Sequence, residues 1–439
     1  MKKISFIILA FIIPFFAFGQ NSTMYTQNGK LYKNNGQKIV LRGMNYNLLD
    51  NGNINFSPGS NSYKSYIDQV ALTGANSIRI PWFTNEFPHW RKDYPTTGTP
   101  QAAVDNGQLS NLLSYCHQKG LVPILELHDF TCDNSWSNFM TKAQGWWFQE
   151  KILNLIEQHK EYLIINIANE FGKVRWTNNP TTSLTTFKNN YKTLISAFRT
   201  KGIKVPIMID APDCGQSSSE LVQVAEEIRS ADPLDKLIFS AHSYWYGYAP
   251  TENEVLSKID ETLNSGSTFV FGEISNRQDV TGNQADGVYN IDYTYQTIMK
   301  LSCQKEVSWL VWTFNHDWHP ERKISPTSSV SNLTNFGKDV LYNTQYGLLS
   351  APCVTGTLAT EQVKIQNINI SPNPARNFVS VKGANSNIQS VEFYQADGRR
   401  VKSVNSSFEG ISISDLPTGT YYLLIKANSQ ISTHKLIIE

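Results

Sequence analysis

Short apolar runs recur along the central part of the chain, and each gap between them is long enough for a helix. Most positions within a run are apolar, without the alternation of a half-exposed strand, which is typical of strands buried on both faces. This pattern predicts eight strands, at residues 39–45, 77–80, 122–127, 163–168, 206–210, 237–240, 268–272 and 307–313.

Between the runs, apolar residues recur at helical spacing, at 63–72, 107–118, 146–158, 184–201 and 218–230. Alternating strands and helices predict an α/β fold, and eight such units in about 330 residues favour a (β/α)8 TIM barrel. A doubly wound open sheet is the alternative. It is disfavoured because no Gly-x-Gly-x-x-Gly motif follows the first strand and because polar residues stand at many strand ends.

Residues 1–19 have the pattern of a signal peptide. Lys2 and Lys3 precede an apolar run that ends in Ala17-Phe18-Gly19, a small-residue cleavage pattern. A membrane anchor is the less favoured alternative, because the run is shorter than the about 20 apolar residues that span a bilayer and contains Pro14. We expect a mature chain from Gln20 that is exported through the periplasm and is secreted or held at the cell surface.

The pattern changes after Cys353. Residues 355–366 are polar and are predicted to be a linker, so the barrel domain is expected to span residues 20–354. From 367 to 439, short alternating runs are separated by turn residues such as Asp397-Gly398 and Pro417-Thr418-Gly419. This spacing predicts a small antiparallel β-sandwich domain.

Several motifs follow one another in this last segment: Ile370-Ser371-Pro372-Asn373-Pro374-Ala375, Asp397-Gly398-Arg399, Leu416-Pro417-Thr418-Gly419-Thr420-Tyr421-Tyr422 and Lys435-Leu436-Ile437-Ile438-Glu439. They resemble the C-terminal sorting domain of the Bacteroidetes type IX secretion system. The resemblance implies that the segment is an export address for the type IX secretion machinery and is usually removed at the cell surface. A carbohydrate-binding module is the alternative, and the absence of Trp after Trp318 counts against it.

The 38 basic and 37 acidic residues leave a net charge of +1, and 17% of the residues are charged. A chain this close to neutral lacks the basic surface with which proteins bind nucleic acid or an acidic membrane. An apolar content of 40% excludes intrinsic disorder. The composition suits a neutral, hydroxyl-rich partner, and we expect a monomer.

Export makes disulfide bonds possible, and the chain has five widely spaced cysteines, Cys116, Cys132, Cys214, Cys303 and Cys353. Their spacing matches no Cys-x-x-Cys metal pattern, and an odd number leaves at least one unpaired. A bond between Cys303 and Cys353 is a candidate, but we favour buried free thiols.

In a TIM barrel the functional residues lie at the carboxyl ends of the strands. Polar and aromatic residues stand at those positions here: Arg79, His128, Asn169, Glu170, His242, Tyr244, Glu273 and Trp312. Hydrolysis of a glycosidic bond needs one carboxyl group to protonate the leaving oxygen and a second to attack or to activate water. Glu170 and Glu273 follow the fourth and seventh strands, on opposite sides of the mouth, so a sugar chain could lie between them. An ion pair with a neighbouring loop is the alternative for a single Glu at a strand end.

The surroundings of the two carboxyl groups suggest their roles. A positive neighbour favours an ionised carboxylate, so Glu273, near Arg79, is predicted to be the nucleophile. Glu170 is then predicted to act first as acid and later as base. The Asn169 amide is expected to hold the sugar 2-hydroxyl, and Tyr244 is expected to hydrogen-bond the nucleophile.

No metal or other cofactor is expected. His128 and His242 have no partner at His-x-His or His-Glu-x-x-His spacing, so we interpret them as substrate-binding residues and not as metal ligands. The segment His316-Asp317-Trp318-His319 is a better metal candidate, but its aromatic character favours contact with sugar. Trp312 offers a flat face to a sugar ring, and the alternative is a Trp that only closes the top of the barrel.

Six tryptophans fall in segments that follow strand ends: Trp82, Trp90, Trp136, Trp176, Trp245 and Trp318. We expect two or three of them to form subsites for a polymer chain and the others to pack in the interior. A row of exposed aromatic residues is typical of an endo-acting cleft.

The eight strand-end residues resemble, in order and in strand position, the characteristic residues of glycoside hydrolase family 5. The resemblance extends from Leu41-Arg42-Gly43 to about Gly337. It implies a retaining endo-β-glycanase that needs no cofactor and uses the two Glu residues in the roles given above.

Four stretches are similar to the bacterial β-mannanase branch of that family: His128-Asp129, Ile164-Ile165-Asn166-Ile167-Ala168-Asn169-Glu170, Met208-Ile209-Asp210-Ala211 with Gly215-Gln216, and Ala231-Asp232-Pro233-Leu234. Two stretches depart from that branch. Trp312-Thr313-Phe314-Asn315-His316-Asp317 replaces its Trp-Ser-Trp-x-Gly-Asn, and Glu273-Ile274-Ser275 replaces its Glu-Phe-Gly.

The expected substrate is therefore a plant-type polysaccharide, with β-1,4-mannan as the leading interpretation and β-1,4-glucan as the alternative under the same mechanism. Two other classes stay open. One is a polysaccharide-binding barrel without activity, which the presence of both carboxyl groups disfavours. The other is a metal-dependent barrel hydrolase.

Overall fold

The computed structural model describes residues 22–84, 100–281, 284–349, 368–383, 388–395, 400–427 and 430–439. The described chain begins with a small antiparallel sheet of three strands, β1 (Tyr25–Gln27), β2 (Lys30–Tyr32) and β3 (Lys38–Ile39). Eight parallel strands then close into a barrel: β4 (Arg42–Asn45), β5 (Ser77–Trp82), β6 (Val122–Leu127), β7 (Ile164–Asn166), β8 (Ile207–Asp210), β9 (Leu237–His242), β10 (Phe269–Ile274) and β13 (Ser308–Val311). A separate hairpin, β11 (Arg277–Asp279) and β12 (Val288–Asn290), lies in the chain between β10 and β13. The predicted (β/α)8 fold is confirmed, because β13 pairs with β4 and leaves no open edge.

The strands are connected through helices whose apolar residues recur on one face. In α3, for example, Leu109, Leu112, Leu113 and Cys116 are all buried. The helices are α1 (Tyr63–Leu72), α2 (Pro100–Asp105), α3 (Gln108–Gln118), α4 (Trp136–Trp147), α5 (Glu150–Gln158), α6 (Pro180–Thr200), α7 (Ser218–Arg229), α8 (Glu252–Asn264), α9 (Asp292–Lys305) and α10 (Asn335–Tyr342). Single 3-10 turns occur at Leu48–Asp50, His128–Phe130, Gln284–Asp286 and Pro320–Arg322. Within the described ranges, no helix combines the length and the apolar character that crossing a bilayer requires.

Two sequence predictions are wrong in detail. The helix predicted at 146–158 is two helices, α4 and α5, because the backbone becomes extended at Gln149 (φ −58°, ψ 137°). The strand predicted at 39–45 is also divided, because Ile39 pairs with Leu31 in the small sheet and the barrel strand begins only at Arg42.

The divided strand closes the N-terminal end of the barrel. Met24, Leu31 and Leu41 are buried in one cluster with residues from the lower ends of the barrel strands. The barrel members of that cluster are Val122, Ile124, Ile164, Met208, Ile238, Val270 and Leu310. Hydrophobic packing therefore fills the end of the barrel opposite to the mouth.

The C-terminal region consists of β14 (Ile368–Ser371), β15 (Phe378–Gly383), β16 (Ile388–Gln395), β17 (Arg400–Val404), β18 (Ile411–Ser412), β19 (Gly419–Ala427) and β20 (Gln430–Ile438). These strands form two antiparallel sheets, in the orders β14-β15-β18 and β17-β16-β19-β20. One core cluster contains side chains of both sheets, among them Val381, Phe393 and Leu423. The predicted antiparallel architecture is confirmed, whereas the predicted linker, the signal peptide and the Asp397-Gly398 turn lie outside the described residues.

The cysteines differ from the favoured interpretation. Cys132 and Cys214 are joined by a disulfide bond, with their Cα atoms 4.6 Å apart. Cys303 is also disulfide-bonded, and its predicted partner Cys353 lies outside the described residues. Only Cys116 is confirmed as a buried free thiol, so the free-thiol interpretation is wrong for Cys132, Cys214 and Cys303.

The packing at the closed end of the barrel predicts the effect of Leu31→Ala. The buried side chain leaves a cavity when truncated, and we expect the free energy of unfolding to fall by about 2–5 kcal/mol. Urea unfolding followed by Trp fluorescence measures this, because every Trp lies between Trp82 and Trp318. Gln27→Ala, at an exposed position of β1, is the control and should change the value by less than about 0.5 kcal/mol. Equal effects of the two substitutions would contradict the assignment of Leu31 to the core.

Candidate active site

The mouth of the barrel is organised around Arg79, within β5, whose guanidinium group is fully buried. Burial alone would lower the pKa of an arginine, but the surrounding carboxylates outweigh that effect and raise it. Arg79 therefore carries a permanent positive charge. Its N–H groups donate to Asn169 Oδ1 (2.7 Å), Glu273 Oε1 (2.9 Å), Asn166 Oδ1 (2.9 Å), Asn45 Oδ1 (3.0 Å) and Asp210 Oδ2 (3.2 Å).

The two predicted catalytic carboxyl groups face each other across this network. Glu170 lies in the loop after β7 and Glu273 lies in β10, and both side chains are buried. One oxygen of each lies within 4.8 Å of the other. In retaining glycosidases the two carboxyl groups are about 5–5.5 Å apart, whereas inverting enzymes need about 6.5–9.5 Å. An approach of two oxygens this close is compatible with the shorter separation of a retaining site and therefore with a covalent intermediate.

The two carboxyl groups differ in their surroundings. Glu273 accepts a hydrogen bond on each oxygen, from Arg79 (2.9 Å) and from the Tyr244 hydroxyl (2.7 Å), and these two bonds hold the carboxylate in place. For Glu170, burial raises the pKa and the negative charge of Glu273 adds to that effect, although His242 partly opposes it. The arrangement therefore provides one carboxylate suited to attack and one carboxyl group suited to hold a proton.

His242 links the second carboxyl group to the floor of the site. Its Nδ1 lies 2.8 Å from Glu170 Oε1, and its Nε2 lies 3.5 Å from Asp210 Oδ2, an ion-pair distance beyond a good hydrogen bond. Burial disfavours the charged imidazole, but the carboxylates of Glu273, Asp210 and Glu170 outweigh burial and raise the pKa of His242 to about 10. Burial would raise the pKa of Asp210, but His242 and Arg79 hold it at about 2.

The remaining predicted residues join the same network. Asn169 donates from Nδ2 to Thr131 Oγ1 (2.9 Å), so both ends of its amide are engaged. His128 Nδ1 lies 3.1 Å from Glu126 Oε2, and the His128 ring is parallel to that of Trp312, with centroids 5.8 Å apart. Since Glu126 also lies 3.7 Å from Arg79, all eight predicted residues belong to one cluster. The roles assigned to them stay predictions.

Four buried polar residues of the site were missed at the sequence level. They are Asn45, Glu126, Asn166 and Asp210, each of which contacts Arg79. The site residues were predicted from the polar positions at strand ends, whereas these four lie within the ranges of the predicted strands. A polar side chain inside an apolar run is the signal that would have revealed them.

The tryptophans divide by exposure. Trp82 and Trp245 are fully buried, which excludes them as surfaces for stacking on sugar. Trp136 packs edge-on against Phe139 and Phe171. Trp176 is 51% exposed and Trp318 is 47% exposed, so both stay candidates. Trp90 lies outside the described residues. The sequence did not predict a parallel stack of Tyr246 on Tyr289, with ring centroids 3.8 Å apart and Tyr246 exposed to 46%.

Glu170, His242 and Glu273 could together offer three ligand atoms to a metal ion. A metal ligand must be deprotonated, and the raised pKa of His242 disfavours that form. Arg79 already supplies a positive charge to Glu273 at 2.9 Å. The trio fits a charge network compensated by its own cations better than a metal centre. The segment 316–319 was the other metal candidate of the sequence, and its Asp317 Oδ1 forms an ion pair with Arg322 (2.7 Å).

Known proteins resemble the chain in two separate segments. The family described as cellulase (glycosyl hydrolase family 5) matches residues 32–317, and the secretion system C-terminal sorting domain matches residues 369–439. A mannan endo-1,4-β-mannosidase of Salipaludibacillus agaradhaerens is 26% identical over 326 residues, which are 72% of this chain and 90% of that protein. One from Streptomyces lividans is 23% identical over 330 residues, 73% of each chain.

A solved structure shares the fold. The mannohexaose complex of the β-mannanase of Thermomonospora fusca superposes with a TM-score of 0.58 at 19% identity. The superposition covers 76% of this chain and 99% of that chain. The likeness extends over the whole of that protein, so the barrel described above is a complete fold of this type.

The electrostatics of the mouth predict a pH dependence of stability for His242. Its pKa of about 10 in the folded protein exceeds the unfolded value of about 6.5. The stabilisation from its charge is then fully present below pH 6.5 and is lost as the pH rises to about 10. The difference in unfolding free energy between wild type and His242→Gln should shrink over that range.

His159→Gln is the control, because burial lowers the pKa of His159 to about 4 in the folded protein. Its contribution should change between pH 4 and about 6.5 and stay constant above that range. Urea unfolding at a series of pH values measures both differences. A His242 contribution that does not change between pH 6.5 and 10 would show that the imidazole is neutral in the folded protein.

Proposed function

The chain belongs to glycosyl hydrolase family 5, and from this membership we propose that it is a retaining endo-β-1,4-mannanase that cleaves internal bonds of β-1,4-mannan. Membership makes the protein a glycoside hydrolase. The observation that carries the proposed mechanism is the pair Glu170 and Glu273, whose oxygens approach within 4.8 Å while their surroundings differ. The names of the relatives from Salipaludibacillus agaradhaerens and Streptomyces lividans support mannan as the substrate.

In the first step, a Glu273 carboxylate oxygen attacks the anomeric carbon. The bond from that carbon to the leaving oxygen breaks, and the leaving oxygen takes the proton of Glu170. Arg79 and Tyr244 hold Glu273 in place with one hydrogen bond to each oxygen, which supports its role as nucleophile. The product is a glycosyl ester on Glu273 and a Glu170 carboxylate.

In the second step, Glu170 takes a proton from water, and the water oxygen attacks the anomeric carbon as the bond to Glu273 breaks. Two displacements at one carbon retain its configuration. Both carboxyl groups return to their starting protonation states. The hydrogen bond from His242 to Glu170 (2.8 Å) stabilises the ionised form of Glu170 between the two steps.

Substrate contacts follow from groups whose orientation is already fixed. Asn169 Oδ1 accepts a hydrogen bond from Arg79, and Asn169 Nδ2 donates one N–H to Thr131. The second N–H of Asn169 Nδ2 is therefore available for the sugar 2-hydroxyl. The parallel rings of His128 and Trp312 offer a flat wall beside Glu126. Asn169, His128 and Trp312 are the proposed substrate-binding residues, together with Arg79, His242 and Tyr244 around the carboxyl groups.

The sorting domain indicates an exported or cell-surface protein. We propose that a signal peptide at 1–19 directs the chain into the periplasm and that residues 367–439 are the address for the type IX secretion machinery. The catalytic domain would span 20–354 and the linker 355–366, and the enzyme would act as a monomer. This arrangement brings the hydrolase to polysaccharide that is too large to enter the cell.

The proposed specificity predicts the result of a substrate panel. We expect reducing ends to be released faster from unsubstituted mannan than from glucomannan, carboxymethyl cellulose, xyloglucan or β-1,3-glucan. Glu273→Ala serves as the blank because it lacks the attacking carboxylate. A preference for carboxymethyl cellulose would replace mannan by β-1,4-glucan as the substrate, and an equally silent wild type would support a binding-only barrel. Activity that disappears with a chelator would point to the metal-dependent alternative.

The proposed roles predict a dependence on the leaving group. With mannan, Glu170→Ala should lower kcat/KM by about 10²- to 10⁴-fold, because the leaving oxygen needs a proton. With a dinitrophenyl β-mannobioside, whose leaving group needs no proton, kcat/KM of Glu170→Ala should stay near that of wild type. Glu273→Ala should be inactive on both substrates. If Glu170→Ala is as inactive as Glu273→Ala on the activated substrate, the two roles are assigned wrongly.

A further inference from the structure

Three loops at the mouth are joined around Glu170. They follow β6, β7 and β8 and comprise residues 131–133, 169–176 and 211–217, and the middle loop contains Glu170. Gly172 connects all three, because its N–H donates to the Asp133 carbonyl (2.8 Å) and its carbonyl accepts from the Asp213 N–H (2.8 Å). The outer loops are also joined directly by the Cys132–Cys214 disulfide, one residue from each of these hydrogen bonds.

The disulfide contacts the carboxyl group itself. Cys132 Sγ lies 3.6 Å from Glu170 Oε2, and both sulfur atoms lie within 4.8 Å of a Glu170 oxygen. A disulfide sulfur carries no hydrogen, so this is a packing contact. Since His242 occupies Oε1, the two oxygens have different neighbours, a nitrogen donor at Oε1 and the disulfide at Oε2.

The backbone around the disulfide adopts conformations that need support. Cys132 (φ 58°), Cys214 (φ 54°), Asp213 (φ 59°) and Glu170 (φ 51°) all lie in the left-handed region, which non-glycine residues rarely adopt. Such residues persist where the surrounding structure holds them. Part of that support comes from the Asp213 carboxylate, which accepts from the N–H groups of Val174 (2.8 Å) and Arg175 (3.1 Å) in the middle loop.

We propose that the Cys132–Cys214 disulfide is a positioning element for Glu170, which locks the loops on both sides of it and restricts Oε2 to the place from which it can protonate the leaving oxygen. This inference rests on the proposed function of Glu170 as acid and base. The disulfide itself takes no part in the chemistry. Its loss should therefore affect the proton-transfer step and leave the attack by Glu273 unchanged.

The test compares two substrates on the double variant Cys132→Ser/Cys214→Ser of the full chain. With mannan, we expect kcat/KM to fall by about 10- to 100-fold, as for a group displaced by about 1 Å. With the dinitrophenyl β-mannobioside, kcat/KM should stay within about twofold of wild type, because the first step then needs no proton. The alkaline limb of the pH profile on mannan should move to lower pH, because water that enters beside Oε2 stabilises the carboxylate.

Cys303→Ser is the matched control, because it removes the other described disulfide-bonded cysteine, in α9, and leaves the three loops intact. It should leave the ratio of the two kcat/KM values and the pH profile unchanged. Thermal unfolding establishes that each variant is folded. If the double variant does not fold, the same measurements are made on Cys303→Ser protein after reduction, once a thiol assay counts two additional thiols.

An equal loss on both substrates, with an unshifted pH profile, would show that the disulfide only stabilises the fold and would overturn the proposal. Full activity of the double variant on mannan would overturn it as well. Glu170→Ala, measured in parallel, separates this failure from a failure of the proposed function. If Glu170→Ala itself lacks the leaving-group dependence, the proposed role of Glu170 is wrong. If Glu170→Ala shows the dependence and the double variant does not, only the proposed role of the disulfide is wrong.

Discussion

The buried guanidinium group of Arg79, within β5, is the constraint on which the mouth of this barrel depends. A buried charge is strongly destabilising unless it is paired and hydrogen-bonded, so Arg79 must be surrounded by acceptors. Five other strands each supply one: Asn45 from β4, Glu126 from β6, Asn166 from β7, Asp210 from β8 and Glu273 from β10. These five polar residues in otherwise apolar strands are therefore explained by one buried cation.

The same constraint distinguishes the surroundings of the proposed catalytic pair, Glu170 and Glu273. Among the described residues of the network around Arg79, two are cations, Arg79 and His242, and four carry carboxyl groups: Glu126, Glu170, Asp210 and Glu273. An excess of carboxyl groups in a buried site favours retention of a proton on one of them. Arg79 binds Glu273 and Asp210 directly, whereas Glu170 is held by His242 and has its pKa raised by burial. The two carboxyl groups proposed as acid and nucleophile thus differ in their hydrogen-bond partners, His242 for Glu170 and Arg79 with Tyr244 for Glu273.

The sequence predicted the barrel and the eight strand-end residues because both depend on local patterns. A run buried on both faces is apolar throughout, and a polar residue after it is conspicuous. The features that the sequence did not predict also have physical reasons. Ile39 continues the apolar run of the first strand, but its partner is Leu31 in a different sheet, and only pairing distinguishes the two. Asp210 was included in a predicted strand, yet its contact with Arg79 depends on the barrel bringing β8 next to β7.

The Cys132–Cys214 pair could not be predicted from spacing, because 82 residues separate the two cysteines. They meet because β6 and β8 flank β7 in the barrel, so the loops after them approach from both sides of the loop that contains Glu170. Disulfide bonds persist outside the reducing cytosol, and the sorting domain indicates an exported protein. Export is then a condition for the cross-link that we propose to position Glu170. The signal peptide proposed at 1–19 would deliver the chain to the periplasm, where the loops around Glu170 can be cross-linked.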